Sequence, residues 1–265
     1  MLAAVLKQTT PSDMPRSILT LSAAALSDAD ALPLARLSDH LGLHFTNVLS
    51  ADTCAALVKR VYDARPYWIS DFDGVQFSLG RAWYTHLEQN RTALYFSRAT
   101  ESNATVEHFL PAMQSKMRRI VGCIVGEPVV QRVGWCGAGV HIFPAHQWLS
   151  FNGGEPHFDT EGLIGDALQR RARAITLVLM LQPPLSGGGL RIWETLYTAS
   201  DDNPTPEITA EMTNAYSEIA HYGIGDLLVI DSYQLHQIQP FSGERDRISI
   251  TLHACQTPSG WETWF

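Results

Sequence analysis

From residue 129 onward the chain is a run of short apolar segments separated by glycine and proline turns, and this pattern restricts the fold most. Segments 129–133, 140–143, 147–151, 190–193, 226–231, 236–240 and 247–254 have the length and composition of strands. Segment 174–181, Ala-Ile-Thr-Leu-Val-Leu-Met-Leu, is apolar almost throughout. A strand reads that way when both of its faces are covered. Pro183-Pro184 and Gly187-Gly188-Gly189 then turn the chain. Short strands in such succession predict a sandwich or barrel. No repeat of fixed period is present.

The first half has a different character. Cys54, Leu57, Val58, Val61 and Tyr62 recur at helical spacing, with Ser50 positioned to cap the helix and Pro66 to stop it. Val106, Phe109, Leu110, Met113, Met117, Ile120, Val121 and Ile124 form a second helical stripe, kinked or split at Pro111 and ended by Gly126 and Pro128. Residues 67–100 are rich in aromatics and read as irregular strands and loops, with core packing a better account of any one ring than pocket lining. Residues 1–35 read as an arm or loosely attached layer, and 198–217 as a polar insertion. The expected class is therefore α+β, a β-core braced by N-terminal helices.

Composition excludes several functions. A net charge of −8 leaves no clustered basic surface for nucleic acid. No stretch approaches the length of a membrane span, and the apolar start is too short for a signal peptide. The four cysteines, Cys54, Cys123, Cys136 and Cys255, show no paired spacing. Reduced, buried thiols in a cytoplasmic protein are the expectation.

The chemistry centres on Gly153-Gly154-Glu155-Pro156-His157-Phe158-Asp159. In extended backbone, residues i and i+2 share a face, so His157 and Asp159 project together. His-x-Asp alone occurs by chance in many proteins, but His236 lies downstream at the start of another strand segment. The stretch between them is long enough for intervening strands to bring the chain back. Two histidines and one carboxylate on one face, with open positions opposite, make the facial triad of non-haem Fe(II) oxygenases. Beyond it, Arg247, Ser249, Thr251 and His253 alternate along one strand face. A polar row pointing inward is costly unless it meets a ligand, and Arg247 beside Ser249 suits a carboxylate held in a forked, charge-assisted way. His253 and His141 compete as ligands but read better as pocket or core histidines, and Asp231 as a turn residue.

His157-x-Asp159, His236, Gly188-Gly189-Leu190 and Arg247-x-Ser249 together resemble the Fe(II)/2-oxoglutarate-dependent dioxygenases, over residues 129–255. The resemblance implies a double-stranded β-helix (a jelly-roll, cupin-like core). It implies a single domain over 1–265, with 1–128 as helical and irregular support, 129–255 as the jelly-roll and 256–265 as an aromatic tail. It further implies that His157, Asp159 and His236 bind iron, and that Arg247 and Ser249 hold the distal carboxylate of 2-oxoglutarate. Gln147 or Asn152 is the candidate for the other end of the cosubstrate. With O2, such enzymes convert 2-oxoglutarate to succinate and CO2 while oxidising a substrate. Asp159 stands where related halogenases carry glycine or alanine, which favours hydroxylation or desaturation. A small-molecule substrate is expected, no nucleic-acid or membrane partner is, and oligomeric state is not legible.

Two alternatives stay open: a peptide or protein hydroxylase of the same superfamily, in which lysine usually replaces Arg247, and a cupin-type metal enzyme or binding protein without 2-oxoglutarate. The end of the chain, Trp261-Glu262-Thr263-Trp264-Phe265, also has two readings. It docks on the core, or it returns over the barrel mouth as an aromatic lid.

Overall fold

The computed structural model describes residues 15–27, 32–198 and 206–265. Residues 1–14 and 28–31 of the expected arm and 199–205 of the polar insertion lie outside these residues. Strand β1 (Ile18–Ser22) is followed by helix α1 (Pro33–Leu37), strand β2 (Gly42–Thr46) and helix α2 (Ala51–Asp63). Ser50 caps α2 as its sequence predicts, its side chain accepting from the Thr53 amide. Strands β3 (Ile69–Asp71) and β4 (Gln76–Leu79) come next, then helices α3 (Trp83–Glu88) and α4 (Thr92–Ser97) in what reads as loop in the sequence. The second helical stripe is split, into α5 (Ala99–Phe109) and α6 (Met113–Val125). Pro111 lies between them, Ala112 adopts φ +61°, and Gly126 closes α6 in the left-handed region.

The strand-rich half contains β5 (Val129–Gln131), β6 (Gly139–Phe143), helix α7 (Trp148–Asn152), β7 (Ala174–Gln182), β8 (Ser186–Gly187) and β9 (Leu190–Leu196). After a short helix α8 (Ala210–Asn214) come β10 (Ser217–Ala220), β11 (Leu227–Asp231), β12 (Gln234–Ile238), β13 (Phe241–Ser242), β14 (Arg247–Thr257) and β15 (Gly260–Trp264). The expected strand at 147–151 is thus a helical turn. A five-residue apolar run does not distinguish the two, and here Leu149 is buried while Trp148 and Phe151 face outward.

The larger sheet runs β1-β2-β11-β7-β14-β6-β4-β3, with β15 added beside β14 and β5 beside β15. Four strands from residues 1–128 therefore extend the core sheet, and this half is more than a helical support layer. The smaller sheet is β10-β9-β12, and β13 pairs with β8. The larger sheet buries both faces, which accounts for its continuous apolar strands. Ile248, Ile250, Leu252 and Ala254 of β14 pack with Leu227 and Val229 of β11 and with Met117, Val121 and Ile124 of α6. On the opposite face Leu228 and Ile230 meet Leu190 and Ile192 of the smaller sheet. The α+β jelly-roll expectation holds, as two facing sheets that do not close into a barrel.

Of the two readings of the aromatic tail, this topology favours docking on the core. It forms β15, paired antiparallel with β14 (His253 opposite Trp264) and parallel with β5. Trp261, Trp264 and Phe265 are no more than 2% exposed. A segment laddered on both sides, with its rings inside, is a wall and not a lid. All four cysteines are free; Cys123, against expectation, is exposed.

Candidate metal centre

Gly153 ends α7 with φ +78°, and a Cβ there would stand 2.6 Å from the Ile238 carbonyl. Glycine is what lets the chain pass that close to β12. Gly154 then donates to the Ile238 carbonyl, His157 and His236 exchange two backbone hydrogen bonds of 3.0 Å, and Asp159 donates to Ser232. The His-x-Asp segment is in effect one more strand edge on β12. Its alternation sends Phe158 into the apolar cluster with Tyr197 and leaves His157 and Asp159 on the other side. A bulge between Gln234 and His236 interrupts the pairing of β12 with β9. Bulges re-aim side chains in this way beside functional sites.

The three side chains converge. The Nε2 atoms of His157 and His236 lie 3.7 and 3.3 Å from the two Asp159 carboxylate oxygens, and one donor atom from each residue falls within 4.8 Å of the others. Donors about 2.1 Å from a first-row ion and at right angles to each other stand about 3 Å apart. Both Nδ1 atoms are engaged, with the Glu155 carbonyl at 2.8 Å and the Gln234 carbonyl at 2.9 Å. Each Nδ1 therefore carries the hydrogen and donates it, leaving the Nε2 lone pair turned toward the carboxylate, the tautomer a metal needs.

The electrostatics agree. Burial alone would raise the Asp159 carboxyl, but His236, His253 and His157 outweigh it and hold the group well below the usual carboxylate range. His236 is opposed by burial yet ends raised, because Asp159 attracts its proton and bonds to it. Desolvation and the neighbouring His236 push His157 down to about 4. The pocket thus gathers one carboxylate and two imidazoles, a set that attracts a cation.

Arg247 is 1% exposed, and among the described residues it has no carboxylate within ion-pair distance. Its Nε donates to the Gly188 carbonyl at 2.9 Å and its Nη1 to the Ser249 hydroxyl at 3.4 Å. Burial lowers its pKa against the pull of Tyr222. The Phe143 and Tyr222 rings each lie 5.5 Å from the guanidinium, and the buried Tyr222 hydroxyl, which interacts with Arg247, has no other hydrogen-bond partner among the described residues. The same is true of Nδ1 on His141, which faces Ser249 across the β6–β14 ladder. Burial pushes that imidazole down to about 3. Arg245, by contrast, is exposed.

Two expected positions do not join this set. Gln147, the residue before α7, and Asn152, at its end, are exposed, and the Asn152 amide returns to the Trp148 carbonyl. His253 is a supporting residue, 3.9 Å from Asp159 through Nδ1, which also bonds Thr176, and stacked on Trp264. Asp231 caps its turn by accepting from the Tyr233 amide. Beside the triad lies a small recess, partly open to solvent, lined by Trp83, Tyr84, Asp159, Glu161, His253 and Trp264. Glu161 is pushed up to about 8, by burial and then by Asp159. Sequence reading passed over Tyr222 and Glu161. For Glu161 the signal was available, since it follows Asp159 by the same two-residue step that joins His157 to Asp159.

No protein-family model and no curated protein sequence matches the chain. Solved structures do resemble it. The epimerase SnoN, in complex with Fe3+, alpha-ketoglutarate and nogalamycin RO, aligns with a TM-score of 0.52 at 14% identity, covering 86% of this chain and 82% of its own. The non-haem alpha-ketoglutarate-dependent carbocyclase SnoK from nogalamycin biosynthesis aligns at 0.55 and 11%, covering 87% and 85%. An N-substituted L-amino acid dioxygenase from Burkholderia ambifaria, in complex with alpha-ketoglutarate, aligns at 0.53 and 14%, covering 92% and 91%. At such identities the likeness is one of architecture, and the chain has the double-stranded β-helix fold of the Fe(II)/2-oxoglutarate-dependent oxygenases.

Proposed function

We propose that this protein is an Fe(II)/2-oxoglutarate-dependent oxygenase that hydroxylates or desaturates an unactivated C–H bond of a small molecule. The observation that carries the reading is the pairing of a His157–Asp159–His236 cluster of metal-ligand dimensions with a buried arginine that has no carboxylate of its own. An isolated buried cation is expensive, and a dicarboxylate cosubstrate would supply the missing anion. A cupin-type metal protein without 2-oxoglutarate has no use for Arg247, which disfavours that reading.

The donor set fits iron: two imidazole nitrogens and one carboxylate, each imidazole fixed in its ligating tautomer. Iron bound there, with 2-oxoglutarate and O2, supplies the oxidation, and succinate and CO2 are the co-products. The chain's own work is to orient and shield. Arg247 and Ser249 hold the distal carboxylate, Gly188 fixes the guanidinium through its carbonyl, and the Tyr222 hydroxyl is free to add a hydrogen bond to the same anion. Phe143 and Tyr222 flank the guanidinium and reduce its access to water, which strengthens that contact. SnoN, SnoK and the amino acid dioxygenase are named for small-molecule chemistry, which supports the choice of a small molecule.

The test is succinate release from 2-oxoglutarate by purified protein under O2, with and without added Fe(II). Iron-dependent succinate formation is expected. Iron binding without 2-oxoglutarate turnover, across amino acids and natural-product scaffolds, would favour the cupin-type alternative.

A further inference from the structure

Behind the Asp159 side of the site lies a buried arginine that belongs neither to the triad nor to the cosubstrate subsite. Arg132 follows β5 and is 6% exposed. Its amide donates to the Thr263 carbonyl, which continues the parallel pairing of β5 with β15 and brings Arg132 beside Trp264. Trp264 in turn lies opposite His253 on β14. The three residues form one row across neighbouring strands. The Arg132 guanidinium stands 4.1 Å from the Trp264 ring centre, and the same ring stacks on His253. Nδ1 of His253 lies 3.9 Å from Asp159. At the other end of the row, Nη1 of Arg132 donates to the Gly162 carbonyl at 2.7 Å, on the segment that leaves Asp159. Row and chain thus close a circuit around the aspartate.

The contacts of this circuit fix Asp159 from both sides. Its own amide donates to the Ser232 carbonyl at 2.9 Å. Beyond it, two consecutive carbonyls are held by side-chain donors, Glu161 by the Trp83 indole and Gly162 by Arg132. Gly162 comes this close because it has no side chain; a Cβ there would overlap the Trp264 indole. An aspartate side chain is short, so its carboxylate inherits any displacement of its backbone, and a ligand set works within about 0.5 Å of its productive geometry. A surface charge pair is a poor account of Arg132. Glu262, bonded to Nε at 3.0 Å, is partly exposed, and exposed pairs contribute little, whereas this guanidinium is enclosed by Trp135 and Trp264. We propose that Arg132 is a positioning residue of the metal centre: it ties the segment after Asp159 to the Trp264–His253 row and so holds the carboxylate in its ligating orientation. The inference rests on the metal-centre reading of His157, Asp159 and His236 and adds to it a residue outside the triad.

The experiment measures, in full-length protein, the affinity for Mn(II) by calorimetry and the visible absorption of bound Co(II), whose intensity reports coordination geometry. Arg132→Gln places an amide nitrogen where Nε bonds Glu262 but has no atom that reaches Gly162. It should weaken Mn(II) binding by about 10-fold or more, the scale for residues that orient a metal ligand, and alter the Co(II) band. Glu262→Gln removes the ion pair, leaves the Gly162 bond and should change neither readout. Trp261→Ala, on the opposite face of the same strand, should lower the melting temperature further than Arg132→Gln while binding Mn(II) as the unaltered protein does. Where the Gln variant does not fold, Arg132→Met, which keeps the packed stem and has no donor, repeats the test. Unchanged Mn(II) affinity and Co(II) absorption in a folded Arg132 variant overturn the proposal. So does a loss that Glu262→Gln or Trp261→Ala reproduces, since the cause would then be the charge pair or a general loosening of β15. Absence of Mn(II) binding by the unaltered protein overturns the triad reading and this proposal with it, whereas tight binding that ignores Arg132 overturns this proposal alone.

Discussion

At the scale of single residues, the site contains buried groups, Arg247 and His141 among them, that lack a charged or hydrogen-bonding partner of the usual kind among the described residues. His157→Ala, Asp159→Ala and His236→Ala should each abolish iron-dependent succinate formation, because each removes one of three converging donors; full turnover by any one of them would sink the triad assignment. Arg247→Ala should raise the 2-oxoglutarate requirement by about 10- to 100-fold while leaving iron affinity nearly unchanged, the scale of a lost charge-assisted hydrogen bond. Arg245, two residues away and exposed, is the control, and a defect at Arg245→Ala with Arg247→Ala silent would reverse the choice. His141 gives a separate, pH-linked prediction. Its imidazole is held neutral by burial, down to about 3, while the unfolded chain takes up a proton near the ordinary value of 6.5. The stability this contributes is present above 6.5 and is lost as pH falls toward 3, at about 1.4 kcal/mol per pH unit. His141→Phe should therefore flatten the loss of stability between pH 6.5 and 5, measured by chemical denaturation at each pH.

At the scale of elements, β15 separates the two readings of the aromatic tail in favour of docking on the core. The lid reading required the tail to sit over the mouth, whereas the backbone of residues 261–264 is laddered to β14 and that of 261–263 also to β5. Trp261, 1% exposed, packs into the core with α6. Trp261→Ala should cost about 3–5 kcal/mol, the range for emptying a buried tryptophan site, and the midpoint of thermal unfolding reports it. A shift near zero would mean that the ring is replaceable by water or by neighbouring side chains. The same element serves the site through Trp264, which stacks on His253 and walls the recess. Helix α7 shows the opposite case, in which a misread element took two candidate residues with it. With 148–152 helical, both Gln147 and Asn152 end up exposed, away from the site.

At the scale of the whole molecule, the His-x-Asp segment is attached to the smaller sheet through β12, while Asp159 also reaches His253 on the larger sheet. A ligand that satisfies Asp159 and Arg247 together should therefore stabilise the fold globally. At a hundred times their dissociation constants, Mn(II) and 2-oxoglutarate should each add about 2.7 kcal/mol, or roughly 5–10 °C in melting temperature for each. The metal contribution should vanish in His236→Ala. A melting temperature indifferent to both would show that the site forms no linked unit with the fold.

What the sequence determined by itself was local or periodic. Ser50 and Gly126 marked helix ends, the apolar run 174–181 marked a strand buried on both faces, and the two-residue step set His157 and Asp159 on one side. The alternation Arg247, Ser249, Thr251, His253 likewise marked an inward polar face, since its partners Ile248, Ile250 and Leu252 are apolar. These signals survive because backbone geometry fixes them within a few residues. Tertiary structure decided what depends on remote partners. It joined β1 and β2 to the core sheet, folded the tail into a wall, and left Tyr222 beside a buried guanidinium. It also set Glu161 between Trp83 and Trp264. Such placements follow from which surfaces meet when the sheets pack, and a carboxylate or a phenol carries no mark of its future neighbours in the chain.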